Sequence, residues 1–182
     1  MSKYVGQAMK RVEDPRLITG SAKYLEDIQL PGMTHAAVLR SPHAHAKIKS
    51  INTDKAKALA GVVGVFTGKD FAHLNPLPIA WQAGGVKNNA NSPKILETDK
   101  VTHLGTGVAV VVAENRYIAE DALSLIEVEY EVLPAVTNAK KATEPGAPQI
   151  HENAPNNINM EWECGDAAAT DKALGSAEVV VK

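Results

Sequence analysis

The chain of 182 residues holds a single cysteine, Cys164, and its longest uncharged apolar stretch covers only residues 104–113. One cysteine excludes an intrachain disulfide and any multi-cysteine zinc or iron–sulfur site. The apolar stretch is about half of the ~20 residues that a membrane-spanning helix needs. No apolar segment follows Met1-Ser2-Lys3-Tyr4, so no secretory signal is read. An excess of charge is also missing. Nineteen Lys and Arg face 21 Asp and Glu, for a net charge of −2, which removes the simplest electrostatic case for nucleic-acid binding. What is present is ordinary: 45% hydrophobic and 22% charged residues, the composition of a globular chain. The length suits one domain with an appendage, or two small domains, able to bury roughly 70% of the unfolded surface. The expectation is a soluble, cytoplasmic protein.

Residues 1–19 are polar and broken at Asp14-Pro15-Arg16, and read as an extended arm. Strands are predicted at 34–40, stopped by Pro42, and at 46–51. Asn52-Thr53-Asp54 offers an N-cap for a short helix over 55–60, with Gly61 at its C′ position. Val62, Val63, Val65 and Phe66 predict a buried strand that ends at the Thr67-Gly68-Lys69-Asp70 turn. Residues 73–100, rich in Pro, Gly and Asn, read as a long excursion with at most a short strand; loops of that length inside a domain are usually functional or contact-making. The clearest unit follows: a β-branched strand at 108–113, a helix at 116–126 capped by Asn115, and a strand at 126–132. The helix places Ile118, Ala122 and Leu125 beside Ala119, Leu123 and Ile126 on one stripe, and the last strand alternates Glu127, Glu129, Glu131 against Val128, Tyr130, Val132. Strand, helix, strand with short links is an α/β signature; strands 108–113 and 128–132 are expected to share one mixed sheet under the helix. After Pro134 the texture changes to Pro- and Asn-rich punctuation. There a strand at 158–163, a helix at 166–174 and an unfinished strand at 177–181 suggest a truncated chain.

Chemistry-bearing residues are few. Gly105-Thr106-Gly107 opens like a dinucleotide fingerprint, but position 110 is Val and the triplet precedes a strand instead of opening a helix. His43 and His45 would share one face of an extended segment, and His35, His103 or Cys164 would have to supply a third metal ligand through folding. Glu127, Glu129 and Glu131 read more simply as a solvated strand face than as catalytic carboxylates. Cys164 stands among Glu161, Glu163 and Asp166, a poor setting for a nucleophilic thiolate. Ser41 and Ser124 lack a nucleophile elbow. From the residues alone this is an α/β domain with no visible active site.

Several segments taken together are informative: 11–20 (RVEDPRLITG), Ala22-Lys23-Tyr24 with Asp27, 39–46 (LRSPHAHA), 62–68 (VVGVFTG) with Asp70, 108–113, 119–122 and 128–135 (VEYEVLPA). In this order and spacing the chain resembles the molybdenum-binding large subunit of the molybdenum hydroxylases. That family includes xanthine dehydrogenase, aldehyde oxidase and aerobic carbon monoxide dehydrogenase. The resemblance implies an α/β-hammerhead fold, with a mixed sheet and covering helices, over residues 20–135. It makes 1–19 an N-terminal arm, and 136–182 a linker with the first elements of a truncated cofactor-binding domain. It implies a parent oxidoreductase with a molybdopterin-type molybdenum cofactor, and iron–sulfur and FAD partners on other domains or subunits. The family's cofactor-binding segments and its glutamate base lie downstream of the resemblance, so no catalytic, cofactor-binding or metal-binding residue is carried onto this chain, which is expected to be non-catalytic alone. Gly105-Thr106-Gly107 stands where many members have Gly-Gln-Pro, and Ala60 precedes Gly61-Val62 where many have Pro, so no particular substrate is implied. The rival readings are a stand-alone hammerhead interaction or assembly module without redox chemistry, and a small metal-binding protein using His43 and His45.

Overall fold

The computed structural model describes residues 4–79, 88–89 and 92–181, in two compact units that divide between Thr34 and His35. The first unit buries none of its described side chains. Where an extended arm was expected, Asp14–Ile18 forms a short helix, α1. Pro15 does not break it, because a proline in the first turn lacks only an N–H that would have no partner there. The Arg11 guanidinium meets the Asp14 carboxylate at 2.8 Å, and the Thr19 hydroxyl donates to the Pro15 carbonyl at 2.7 Å. A 3-10 turn follows at Leu25–Asp27, where the Tyr24 N–H donates to the Asp27 carboxylate at 2.9 Å.

Among the described residues the second unit has six strands: β1 (His35–Arg40), β2 (Ala46–Asn52), β3 (Val62–Thr67), β4 (Lys100–Val101), β5 (Gly107–Ala113) and β6 (Glu127–Val132). They form two three-stranded sheets, β1–β5–β3 and β4–β2–β6, and every pairing is antiparallel. The expected architecture of sheets with covering helices is present, with one correction: β5 and β6, expected to share one sheet, belong to different sheets. β5 is the centre of one, between β1 and β3. β6 instead pairs with β2 in the other, with Lys47 opposite Glu131 and Asn52 opposite Glu127.

Two helices cover the inner face of the first sheet. The first is α2 (Asp54–Lys57), shorter than expected; Asn52 accepts from the Asp54 N–H at 3.0 Å, and Gly61 adopts φ +85°. The second is α3 (Arg116–Leu123), where Asn115 Oδ1 accepts from the Ile118 N–H at 2.9 Å as the sequence led one to expect. Its buried residues are small, Ala119 and Ala122, and Ala119 packs with Ala37 and Ala113. Alanine on helix and strands together lets the backbones approach closely. Gly61 serves the same closeness, since a Cβ there would lie 2.6 Å from Ile118 Cδ1. The main core gathers Ala56, Val65, Ala109, Val111, Ala122 and Ile126; a neighbouring cluster of Ala46, Val101 and Val108 joins the sheets. Full burial of one such valine is worth roughly 1.5–3 kcal/mol.

A bulge makes that joint possible. Leu39 pairs with Ala109 and Arg40 with Gly107, which leaves Val108 without an opposite number. Val108 and Ala109 are both buried as a result, one in each cluster. β3 is less buried than expected, with Val65 inside but Val63 and Phe66 exposed. The excursion supplies β4, and the part of it at 80–87 and 90–91 lies outside the described residues.

Beyond β6, α4 (Ala139–Ala142) is capped by Asn138, and α5 (Ala167–Gly175) by Asp166, whose side chain accepts from the Ala169 N–H. The strand expected at 158–163 is reduced to one bridge, Asn88 with Met160, and residues 177–181 form no strand. A run of valines becomes a strand only when a neighbour completes its hydrogen bonds, and none of the two sheets' strands adopts this one.

Candidate functional site: the junction of the two sheets

The segment 40–46 links the end of β1 to the start of β2 and crosses from one sheet to the other. Arg40 Nη1 donates to the Gly105 carbonyl at 2.9 Å. The Ser41 N–H donates to the Thr106 carbonyl at 2.8 Å, and the Gly105 N–H returns a bond to the Ser41 carbonyl at 3.0 Å. The Thr106 N–H and hydroxyl both donate to the His103 carbonyl, at 3.4 and 2.7 Å. Two motifs distant in sequence therefore interlock. The Gly105-Thr106-Gly107 loop is unfit to cradle phosphate, because the N–H groups of Gly105 and Thr106 are already engaged within the fold.

His43 and His45 are not paired on one face. The Ser41 hydroxyl accepts from the His43 N–H at 3.0 Å, a turn that directs the His43 ring edge-on to Tyr130, with centroids 5.0 Å apart. Burial pushes the Tyr130 phenol above its ordinary value, opposed by a hydrogen bond with the Ser41 hydroxyl. His45 is 5% exposed, and its Nδ1 lies 2.7 Å from the Pro134 carbonyl. A carbonyl only accepts, so Nδ1 is the donor of this bond. The ring's Nε2 is buried without a hydrogen-bond partner among the described residues. The Leu133 N–H donates to the His45 carbonyl at 2.9 Å, so this residue fixes the exit of β6 through both backbone and ring.

The glutamate face of β6 is laced with lysines from β2 and α2. Glu131 meets Lys47 at 3.4 Å and Lys49 at 3.8 Å, Glu127 meets Lys55, and Glu129 accepts from the Ser50 hydroxyl at 3.4 Å. Exposed pairs of this kind contribute ~0–1 kcal/mol each and describe a solvated face. Ser124 ends α3 by donating to the Asp121 carbonyl at 2.7 Å, and Cys164 lies exposed. Among the described residues, no three His, Cys, Asp or Glu side chains converge as metal ligands.

Two open clefts flank β4; the excursion at 73–100, read as functional or contact-making, lines part of the first, and no sequence feature pointed to the second. The larger, about 680 Å³, is lined by Lys47, Lys94, Glu97, Asp99, Lys100 and His151 among others. Its charges are largely matched: Lys94 meets Glu97 at 3.8 Å and Asp99 at 3.5 Å, and Lys100 donates to the Ile150 carbonyl at 3.0 Å and meets Glu152 at 3.8 Å. Burial pushes the Glu97 carboxyl up, with Lys94 opposing. Burial pushes the His151 imidazole down, helped by Lys100, His45 and His103. The second cleft, about 500 Å³, lies among Thr102, residues 136–139 and 150–159. Its hub is Asn157, whose side chain accepts from the Ile150 N–H and donates to the carbonyls of Ala142 and Pro148, all at 2.9 Å. Asn157 sits at φ +57°, a conformation asparagine tolerates better than most; the Asn156-Asn157 pair after Pro155 was the available signal for it.

With this geometry in place, likeness to known proteins decides the family. The family model described as "Aldehyde oxidase and xanthine dehydrogenase, a/b hammerhead domain" matches residues 19–134. The chain belongs to that family. It is 41% identical to the carbon monoxide dehydrogenase large chain of Afipia carboxidovorans, over 98% of its own length and 23% of that protein's. It is 36% identical to the xanthine dehydrogenase molybdenum-binding subunit of Escherichia coli O157:H7, over 78% of this chain and 19% of that one. A solved structure of the Cu,Mo-CO dehydrogenase in its carbon monoxide reduced state superimposes with a TM-score of 0.76 at 39% identity, over 96% of this chain and 23% of that one. The chain thus spans about a quarter or less of the length of these relatives. Residues 40–46, which carry part of the resemblance, and 105–107, which depart from it, are tied to each other by backbone hydrogen bonds.

Proposed function

We propose that this chain is the N-terminal portion of the large subunit of a molybdenum-dependent hydroxylase or dehydrogenase, and is non-catalytic by itself. The parent enzyme oxidises an aldehyde, an N-heterocycle or carbon monoxide in the cytoplasm. In this reading residues 1–19 are an arm, 20–135 the hammerhead, and 136–182 the linker into the cofactor-binding part. The observation that carries it is the match along 98% of this chain to only 23% of a carbon monoxide dehydrogenase large chain. The parent's molybdopterin-type cofactor supplies the redox chemistry, and iron–sulfur and flavin partners take the electrons onward.

The described residues do not fit that cofactor as a binding site. The glycine loop's N–H groups are engaged, the clefts' charges are matched within the protein, and no ligand trio converges. No catalytic step is therefore derived through these residues. Their work is to hold a rigid two-sheet scaffold on which the rest of the subunit is arranged, since binding and orientation are a protein's usual contribution to cofactor chemistry.

The test is a paired expression in a host that makes the cofactor. The longer subunit, co-produced with its partners, is expected to hold molybdenum and to reduce a dye with one of the named substrates. The 182-residue chain is expected to hold none and to show no turnover. Stoichiometric molybdenum in the short chain would overturn the reading, and a reading frame that stops after Lys182 would favour a stand-alone assembly module.

A further inference from the structure

The segment that follows β6 is anchored to the sheets at two corners, and a histidine stands at each. At the first, His45 Nδ1 donates to the Pro134 carbonyl at 2.7 Å, and the His45 carbonyl accepts from the Leu133 N–H at 2.9 Å. At the second, Lys100 Nζ donates to the Ile150 carbonyl at 3.0 Å, one residue before His151, which lines the cleft beside Lys100. Asn153 adds a side-chain bond to the Asn89 carbonyl at 3.2 Å. Between the two corners the bonds run inward, from Asn138 to α4 and from Asn157 to the carbonyls of Ala142 and Pro148. With Ala154 its one buried apolar side chain, the segment lies against β4 as a strap fastened near its ends.

The second corner gathers groups of one sign. Lys100 is charged, and His45, from the start of β2, and His103, from the turn after β4, both act through space on His151. The carboxylates of the same cleft are drawn to other cations: Glu97 and Asp99 lie 3.8 and 3.5 Å from Lys94, and the exposed Glu152 lies 3.8 Å from Lys100 itself. Lys47, also on the cleft wall, meets Glu131 at 3.4 Å. A proton arriving at His45 Nε2 finds no acceptor among the described residues, and that atom is buried.

We infer that residues 135–157 form a pH-sensitive strap, seated on β4 near neutrality and lifted from it by acid, with His151 and its neighbours His45 and His103 as the trigger. Histidine changes charge between pH 5 and 8. As the imidazoles protonate, positive charge collects around Lys100, and like charges in a half-buried corner repel. Lifting the strap hands them to water. Burial and Lys100 hold the His151 imidazole below its ordinary value of 6.5, so the lifted state takes up the proton first. The strap is therefore seated at pH 7.5, and the lifted fraction grows as pH falls through 6.5 until the seated site also titrates. An imidazole that stays neutral when seated and titrates normally when lifted raises that fraction by up to about tenfold at pH 5.5. The inference goes beyond the function proposed above: it needs no cofactor and concerns how the chain leaves the two sheets.

Hydrogen exchange of the 182-residue chain, read by mass spectrometry at pH 7.5 and 5.5, tests it once each rate is divided by the intrinsic rate at that pH. Protection of amides in 133–157 is expected to fall about tenfold between the two pH values, while β5 amides keep theirs. His151→Gln keeps a polar side chain without a titrating ring. Its strap is expected to be as protected as the parent's at pH 7.5 and to lose about threefold or less at pH 5.5. Should His151→Gln loosen the strap already at pH 7.5, His103→Gln, which lies off the strap, takes its place and is expected to reduce the fall. An unchanged protection in the parent overturns the inference. An equal fall in β5 does so too, because the whole unit would then be opening. A fall of full size in both variants would place the trigger outside these histidines and overturn it as well.

Discussion

Within the second unit, residues 35–134 and 135–160 are held together by different forces. The first region is stabilised by apolar burial: Val65, Val101, Val108, Val111 and Ile126 sit among alanines between two sheets and a helix. The second buries one apolar side chain, Ala154, and depends on side chains that replace missing backbone partners. Asn138 caps α4 by accepting from the N–H groups of Lys140 and Lys141. Gln149 donates to the carbonyls of His151 and Ala154, and Asn157 ties Ile150, Ala142 and Pro148 together. From 161 to 181 apolar burial is absent and every described residue is exposed, with side-chain stitching at α5, where Asp166 accepts from the Ala169 N–H. Apolar burial gives cooperative stability to the whole unit, whereas polar stitching fixes a loop locally and yields locally.

The largest effect is expected where burial is complete. Val111→Asp places an uncompensated charge at a site with no exposure, costing several kcal/mol against a total of ~5–15. The cooperative thermal transition should disappear; a soluble variant that melts like the parent would contradict the packing described. Gly61→Ala is next. It adds a Cβ at φ +85°, 2.6 Å from Ile118 Cδ1, and should cost about 1–3 kcal/mol from the backbone alone. Ile118→Ala removes the clashing atom, so the double variant should lose less than the sum of the two singles. Additive losses would show that the two residues do not meet.

Asn157→Ala tests the second region. Three hydrogen bonds go with the side chain, at ~1 kcal/mol net for each. Hydrogen exchange should quicken across 142–158 while amides of β5 keep their protection. Equal acceleration in β5 would mean that the loop and the sheets open as one body, erasing the distinction drawn here.

The contrast also accounts for what was readable beforehand. β1, β2, β3, β5, α3 and β6 follow local patterns, and so do the Asn115 cap and the Asp70 turn, where the carboxylate accepts from the Thr67 N–H at 2.7 Å. Which strands pair was not readable. Lys47 opposes Glu131 across 84 positions, and β5 and β6, adjacent in sequence, turn into different sheets. The Val108 bulge hides for the same reason: its cause is the register of a distant strand. At the junction, the motif of Ser41, His43 and His45 was visible as a motif, but its targets, Tyr130 and Pro134, lie some 89 positions away. The Asn156-Asn157 pair signals the left-handed turn at Asn157 but not its partners, the Ile150 N–H and the carbonyls of Ala142 and Pro148, because backbone groups are the same at every position.

The smallest effect is a matter of pH, and it reads the seam between the two regions. His151 belongs to the stitched loop and lines the cleft beside Lys100 of β4. Burial and then Lys100, His45 and His103 hold its imidazole below the ordinary value of 6.5. A depressed histidine binds its proton less readily in the native state than in the unfolded one. Above about pH 7.5 both states are neutral and the group is silent; as pH falls through 6.5 the unfolded chain takes up the proton first, and stability declines until the native site also titrates. Glu97 in the same cleft works oppositely. Its carboxyl is held above 4.5 by burial, so its contribution is complete below that value and is lost as pH rises through the native titration. His151→Gln should flatten the fall in melting temperature between pH 7.5 and 5.5, a slope limited to one proton, about 1.4 kcal/mol per pH unit. Glu97→Gln should raise the melting temperature at pH 7 and leave it unchanged at pH 4. Thermal melts of both variants across this range decide it: an unchanged slope in His151→Gln would place the imidazole in free solvent and leave the loop detached from β4.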